Sequence, residues 1–560
     1  MLPLCTKYID FLYRTDYNNF TPCPGTKTKC ITERRAIMKH RTLLKALAVL
    51  LSVSMLVPFS VYAEGASDVN MDEETVTIAI PFDPATMEPW ATMGDGRIDV
   101  IRHVYEYMFD YEKIGGDLLP CIASGYEQTD DVTYRVTIYD NITDSAGNHI
   151  TAEDVVFSYE TTIEIGNQGI GVNTIDHMDV IDDTTIDFVF NTTAAGAFAN
   201  AMTNTAIVSK AAYEADPEHF ASKPVGTGHY VLDEFTPGST ISFSKREDYW
   251  QSEEECARLS EANIGHVVYK VIPEASQLTI ALESGDVDIA YYILSSDIHR
   301  FEDVEGFHLE ARPKDLAEVI LYNCDPSNVF ADEKLRQAVS YAIASEAVLQ
   351  TVYDGAGGVC KTYGSPLFAD YNEKWNEEDY YDYNPEKAKE LLAEAGYADG
   401  LKVRLMTDNG AIHTRMAQVI QSMLSEVGIE VEILAYDGNL INTYRFDPTQ
   451  FDFYIASKSS FDYITSVWKF SFDQVAYKGM TLNFYVDPEL QTLLETALDS
   501  ATHTEENIDK FHYALKDLAL GYGICYGTNY LAYNDKIEEL AIDFKTRVVG
   551  GACIFNPDKF

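Results

Sequence analysis

The chain has 560 residues, 46% of them apolar and 12% aromatic, which is enough for two or three domains with a large core and unlike a disordered segment. The formal charge is −48; nine Lys/Arg and three Asp/Glu stand in the first 63 residues, so the remainder carries −54. Such a field repels phosphate backbones and argues against nucleic acid as a partner, leaving solubility as the plain reading of the charge.

Residues 1–37 are basic, with Cys5, Cys23 and Cys30 and no clear periodicity. Met38 begins a secretory signal. Lys39, His40, Arg41 and Lys45 are its positive region, Ala46–Val57 its apolar stretch, and Val61-Tyr62-Ala63 a small-x-small cleavage site before Glu64. Residues 1–63 are therefore expected to be an N-terminal extension plus signal peptide (38–63), with Met38 the true start. The apolar run is too short, and too interrupted by Pro58, for a membrane span. No cysteine stands at the cleavage point, so no lipid anchor is expected. The expectation is an exported protein, periplasmic or associated with the cell surface. Cys121, Cys256, Cys324, Cys360, Cys525 and Cys553 follow without any Cys-x-x-Cys motif, and their spacing alone does not pair them.

Thr75–Ile80 alternates into a first strand, and Phe82-Asp83-Pro84 through Trp90 follows as a loop. Val100–Phe109 reads as a helix, with Val100, Val104, Tyr107 and Met108 on one side. Tyr134–Tyr139 is a strand. Thr151-Ala152-Glu153-Asp154 starts a helix by a capping box in which Asp154 reaches back. Pro224-Val225-Gly226-Thr227-Gly228 is a glycine turn without the third glycine, following helix or Lys-Ser/Thr of a phosphate cradle. Ile241–Trp250 contains a strand. Leu278–Ala290 is a helix and turn, with Asp288 marking the entry to a strand. Val319–Asn323 is a strand, and Asp332 caps a helix running to about Gln350. Tyr371–Asp382 is acidic and aromatic and reads as a surface loop.

The clearest unit lies between Asn384 and Leu434. Asn384-Pro385-Glu386 is a cap, a proline at the first helical position and an acid in the first turn. Ala388, Leu391, Leu392 and Ala395 follow at helical spacing, and Gly396 stands at the helix end. Leu401–Leu405 alternates as a strand. Thr414–Val427 is a helix closed by Gly428, and Ile429–Ile433 is the next strand. Strand, helix and strand make a βαβ unit, so this domain is α/β. Asp487–Ser500 and Glu505–Leu520 are two further helices.

Several of these stretches share a resemblance. Leu118–Ala123, Thr151–Ser158, Pro224–Tyr230, Asp248-Tyr249-Trp250, Ala281–Ile289, Leu335–Ile343, Asn384–Tyr397 and Met416–Ile429 resemble, in order and in spacing, motifs of the bacterial extracellular solute-binding proteins of family 5. These are the peptide- and nickel-binding receptors of ABC importers, the oligopeptide-binding proteins among them. The resemblance covers roughly Thr75–Asp543, with His229 standing where the family has proline. It implies an α/β, two-lobe periplasmic-binding-protein-like fold with a hinge and an extra inserted subdomain. Lobe I would comprise 64–111, 222–310 and 523–560, the insert 112–221, and lobe II 311–522. Ligand would be held in the interlobe cleft of a monomer and delivered to membrane permease subunits. No cofactor and no metal site are implied.

Enzyme signals are poor: there is no His-Glu-x-x-His, Gly-x-Ser-x-Gly or Walker lysine. The histidines stand singly, His299 and His413 included, and read as structural or exposed. Phe461-Asp462-Tyr463 falls where the family carries Asp-Tyr. The resemblance gives Asp462 the ligand's α-ammonium group, by a charge-assisted hydrogen bond, and makes Phe461, Tyr463 and Trp468 pocket walls. Trp90, Asn323 and Tyr291 complete the candidate set. An adjacent strand can bind peptide main chain by strand addition. The family's Asp-Pro is replaced by Ile464-Thr465-Ser466, and Thr407 stands where dipeptide binders tend to place an arginine, which favours oligopeptides over dipeptides. The alternatives are the same fold binding an oligosaccharide or a nickel complex, or a secreted hydrolase.

Overall fold

The computed structural model describes residues 69–560 apart from 91–96, 112–115, 166–170, 218–219, 253–258, 260, 315, 460–462, 475–480 and 544–546. In chain order, β1 (Thr75–Ile80) is followed by an insert carrying β2 (Ala123–Gln128), β3 (Thr133–Ile138), β4 (Ile175–Asp182) and β5 (Thr185–Phe190). Next come β6 (Tyr230–Thr236), β7 (Thr240–Lys245), β8 (His266–Val271), β9 (Ile289–Ile293), β10 (Phe307–Pro313) and β11 (Leu316–Tyr322). The chain continues with β12 (Gly357–Val359), β13 (Leu401–Asp408), β14 (Ile429–Tyr436), β15 (Phe453–Ser459) and β16 (Gly521–Asn534).

Strands β2–β5 form a separate antiparallel sheet in the order β2-β3-β5-β4. The main sheet runs β14-β13-β15-β11-β16-β9-β1-β8-β7-β6, with β10 and β12 also paired to β16. The 14-residue β16 belongs to both halves of this sheet. Its first part pairs β11, from Leu321↔Gly521 to Glu318↔Cys525. Its second part pairs β10, from Pro313↔Thr528 to Phe307↔Asn534. Two neighbouring stretches of chain, β10–β11 and β16, thus connect the halves. Each half has its own core. One gathers β11, β13 and β15 with the helices between Leu335 and Leu520; another gathers β1, β7, β8 and the C-terminal segment. The insert has a third, with Trp250 joining it.

Local chemistry explains many boundaries. Asn384 Oδ1 accepts from the backbone N–H of Lys387 at 3.0 Å, capping the helix Pro385–Glu394. Gly396 and Gly428 take φ of +90° and +91°, which glycine tolerates without Cβ strain. Asp154 reaches back as expected: Oδ2 accepts from Thr151 N–H at 2.8 Å and from the Thr151 hydroxyl at 2.9 Å. The Thr151 hydroxyl is thus a donor to Asp154. Asp288 is a cross-strand anchor, accepting from Thr77 N–H at 2.9 Å and pairing with Lys536 at 3.2 Å.

Three expectations need correction. The helix begun before Val100 covers only Arg97–Ile101. The next carbonyls are taken by the glycine turn, with Gly228 N–H donating to Val104 O at 2.8 Å and Tyr230 N–H to His103 O at 3.0 Å. The helix capped by Asp332 stops at Tyr341, whose carbonyl accepts from Asn384 N–H at 2.8 Å, and a second helix spans Ser345–Tyr353. Residues 371–382 are not merely a surface loop. Trp375 is fully buried and stacks on His512 at 4.1 Å, because its Nε1–H finds Asp509 at 2.9 Å.

The glycine turn permits a direct test. A Cβ on Gly226 would lie 2.1 Å from the Val104 carbonyl oxygen, a backbone atom that cannot swing away. Gly226→Ala is expected to cost about 2 kcal/mol, as overpacking does, read as a lowered denaturation midpoint at unchanged slope. An unchanged midpoint would mean that the turn has room to move.

The insert also touches the helical part of the largest core. Ala194 and Asp499 form an isolated antiparallel bridge, Ala195 N–H donates to Leu498 O at 2.8 Å and Ser500 N–H to Thr193 O at 2.7 Å. The Thr193 hydroxyl donates to the Asp499 carboxylate. None of the five described cysteines after Glu64 is in a disulfide, and all are buried.

Candidate functional site

Strands β13 and β14 run parallel in full register, and β13 runs parallel to β15 only at Leu405↔Phe453 and Met406↔Tyr454. Beyond that point β13 and β15 diverge. The helix Ala411–Glu426 starts directly after β13, so groups at this carboxyl end converge, as ligands require in open α/β sheets. The other edge of β15 is paired with β11 along its whole length. From Ile455 to Ser459, no described strand pairs with the edge facing β13. A cleft of about 420 Å³ lies there, lined by Asp408, His413, Arg445, Ser457, Lys458 and Phe470 among others.

One wall is a charge cluster drawn from five segments. His413 Nε2 lies 2.7 Å from Glu318 Oε2, and His413 Nδ1 contacts Asp408 Oδ2. The Ser457 hydroxyl donates to Glu318 Oε2 at 2.8 Å, and the Tyr353 hydroxyl to Glu318 Oε1 at 2.6 Å. Burial of the His413 ring works against its cation, but the hydrogen bonds and charges of Glu318 and Asp408 outweigh it and raise its pKa to about 9. Glu318 is 2% exposed; burial pushes its carboxyl up, yet His413, Tyr353 and Ser457 hold it below the usual range. At neutral pH the cluster is an imidazolium between two carboxylates.

The other wall is cationic. Lys458 is 4% exposed, and its Nζ sits 4.8 Å from the centre of the Phe470 ring. The Arg445 guanidinium carbon is 5.8 Å from the same ring centre. Burial, and then the Arg445 charge, push the Lys458 pKa down to about 7. The buried Arg445 Nε has no hydrogen-bond partner among the described residues.

The residues singled out from sequence are not gathered here. Phe461 and Asp462 lie outside the described residues. Tyr463 precedes the helix Ile464–Phe472; its ring covers Gly196 of the insert and meets His503 edge-on at 5.7 Å. Trp468, on that helix, is fully buried, donates to Tyr363 O at 3.0 Å and packs on Phe511, so it is a core residue and no wall of this cleft. Trp90 is also buried, donating to Ala206 O at 3.2 Å and packing on Tyr213. Asn323 is fully buried and ties the end of β11 to the loop before β15, donating to Pro448 O and Phe451 O, both at 2.7 Å. Tyr291 lines a separate cavity of about 50 Å³ beside Asp99, Arg312 and Arg547. Buried indoles and amides need partners, and these found theirs in the scaffold.

Sequence reading missed Glu318, His413, Lys458, Arg445 and Asp370. Asp370 supplies what the missing Asp-Pro turn leaves open, accepting from Thr465 N–H at 3.1 Å and its hydroxyl at 2.6 Å at the start of the Ile464–Phe472 helix. A signal for Lys458 was present: it continues the inward alternation of Tyr454 and Ala456. Among the described residues, no group of three or more His, Cys, Asp or Glu is placed to hold a metal ion, and no helix is long and apolar enough to cross a membrane.

Residues 117–477 match the sequence model of the bacterial extracellular solute-binding proteins, family 5 Middle. The chain is 26% identical over 372 residues to the heme-binding protein A of Haemophilus influenzae, spanning 60% of this chain and 65% of that relative's length. It is 27% identical over 389 residues to the dipeptide-binding protein of Escherichia coli, spanning 64% of this chain and 70% of the relative. The structure of the Bacillus subtilis oligopeptide-binding protein AppA, in complex with a nonapeptide, superposes with a TM-score of 0.66 at 22% identity, covering 86% of this chain and 99% of that one. That likeness shows a two-lobe periplasmic-binding-protein fold.

Proposed function

Because the chain belongs to the bacterial extracellular solute-binding proteins of family 5, we propose that it is the exported receptor of an ABC importer that captures peptides, oligopeptides foremost, between its lobes. The observation that carries this reading is the open edge of β15 from Ile455 to Ser459 along the cleft. A free strand edge offers backbone donors and acceptors to any extended chain, whatever its side chains. The relatives include a dipeptide-binding protein and a nonapeptide complex, which supports a peptide as the cargo. Lobe closure about β10–β11 and β16 would bury the ligand and present the closed form to membrane permease subunits. The receptor acts as a periplasmic or cell-surface monomer and carries out no chemistry itself. Asp462 is proposed, by resemblance, to hold the ligand's α-ammonium group.

Thermal unfolding against separate pools of dipeptides, tri- to hexapeptides, oligosaccharides and nickel tests this. A pool at one hundred times its dissociation constant adds about 2.7 kcal/mol of stability. The expected result is a clear rise in Tm with the longer peptides, and a smaller rise for Asp462→Asn that N-acetylated peptides do not distinguish from the parent. A rise with sugars or nickel alone would overturn the peptide reading.

A further inference from the structure

The walls of the β15 cleft are not equivalent. On one side two carboxylates, Glu318 and Asp408, share a single cation, His413. On the other, among the described residues, neither Lys458 nor Arg445 makes an ion pair; both face the same ring, Phe470. Among the described residues the charge that acts on Lys458 is that of Arg445, and it repels. Removing an ammonium from water without a partner is costly. Asp408 and Glu318, the acids of the opposite wall, are already engaged by His413. An unmatched buried cation at the wall of an open cleft is matched when the occupant brings the counter-charge.

The strand edge says where that charge would be. An extended peptide paired to Ile455–Ser459 sets its side chains beside those of β15, directly opposite residues lying about 5 Å apart. Lys458 is near the end of this edge, with its ammonium over the Phe470 ring at 4.8 Å. We propose that Lys458 and Arg445 form a carboxylate subsite, selecting peptides that carry an aspartate or glutamate side chain at the position paired beside Lys458. This rests on the peptide-receptor reading and narrows it to acidic oligopeptides. The net charge of the molecule runs against such cargo at long range, so the preference comes from the local pair of cations. Within the cleft an ammonium and a guanidinium accept a carboxylate by charge-assisted hydrogen bonds, short and about twice as strong as neutral ones.

The test uses the whole protein and three matched hexapeptide pools, with affinities from calorimetry. One pool contains Asp and Glu, the second replaces them by Asn and Gln, and the third keeps the acids but amidates the chain end. The acidic pool is expected to bind at least tenfold tighter than the Asn/Gln pool. Amidation of the chain end should matter little. Lys458→Met, which keeps the packing on Phe470, should abolish the discrimination between the acidic and Asn/Gln pools. Arg445→Gln, at a half-exposed position, should reduce it in part and guards against a folding defect in the first variant. Equal binding of the acidic and Asn/Gln pools would overturn the subsite and leave the peptide reading standing. Loss on chain-end amidation alone would overturn the assignment to a side chain. Binding of none of the pools would overturn the peptide reading and the subsite with it.

Discussion

Replacing Glu318 by glutamine is expected to destabilise the protein by about 3 kcal/mol at pH 7 and to flatten its pH dependence between pH 6.5 and 9. The His413 pKa is raised to about 9 in the folded chain, against 6.5 for the ordinary side chain. A raised pKa means that the folded state holds the proton more tightly. The linked stability is therefore fully present below pH 6.5 and is lost as pH rises through 9. The difference corresponds to roughly 3 kcal/mol. Its source is chiefly Glu318, whose carboxylate meets His413, Ser457 and Tyr353 at once. Glutamine keeps the shape and loses the charge, leaving an imidazolium facing Asp408 alone. Breaking a buried pair by removing one partner costs more than the pair contributes net, because the remaining charge stays buried. Urea midpoints at pH 6, 7.5 and 9.5 report both effects. Parallel pH profiles for parent and Glu318→Gln would show that His413 does not carry the proton this geometry assigns to it. Lys458, with its pKa pushed down to about 7, loses its charge as pH rises through the same window, so binding and stability should be measured together at each pH.

Arg336→Met is expected to cost about 3 kcal/mol or more, in a region remote from the cleft. Arg336 is 2% exposed and has no carboxylate beside it among the described residues. Its guanidinium instead donates to four backbone carbonyls: Leu518, Ala519, Phe330 and Ala331, at 2.6 to 3.1 Å. Leu518 and Ala519 end the helix Glu505–Asp517, and Ala519 takes a φ of +47°, a left-handed conformation that costs a non-glycine residue energy. The arginine fork thus fixes the turn from which β16 starts. Methionine fills the volume and leaves those carbonyls unsatisfied, each worth about 1–3 kcal/mol when buried. Arg336→Lys keeps the charge without the fork and should recover only part of the loss. Denaturant unfolding decides it: a midpoint for Arg336→Met equal to that of the parent would mean that water replaces the guanidinium at this turn.

How much of this was legible depends on how local the cause is. The Asn384 cap, the Gly396 and Gly428 helix ends, and the strands starting at Leu401 and Ile429 were all readable, because caps and alternation act within a few residues. The helix expected to reach Phe109 failed because a segment more than a hundred residues later claims its carbonyls. Trp375 was hidden for the same reason: an acidic, aromatic stretch looks exposed until His512 is placed against it. The site divides in the same way. The family motifs identified the receptor class. Glu318, Asp408, His413 and Ser457 are separated by up to 139 residues and meet only through the order of β13, β15 and β11 in the sheet. His413 looked like a lone histidine because its acids are supplied by strand pairing and by the end of β13. Trp468, a pocket wall by the resemblance, and Trp90 and Asn323 of the candidate set are buried and hydrogen-bonded within the scaffold.

The bridge of Thr193, Ala194 and Asp499 has a consequence for how such a receptor is tuned. None of the three residues lines the cleft beside β15. It is made of backbone groups and one hydroxyl–carboxylate pair. A contribution of this bridge to lobe closure would therefore be the same for every cargo. In affinity terms it would be a common multiplier: about 1 kcal/mol would raise every association constant roughly fivefold and leave their ranking untouched. The ranking is decided elsewhere, at the strand edge and its charged walls. Tightness and choice thus reside on different residues, and substitution can shift one while the other is preserved.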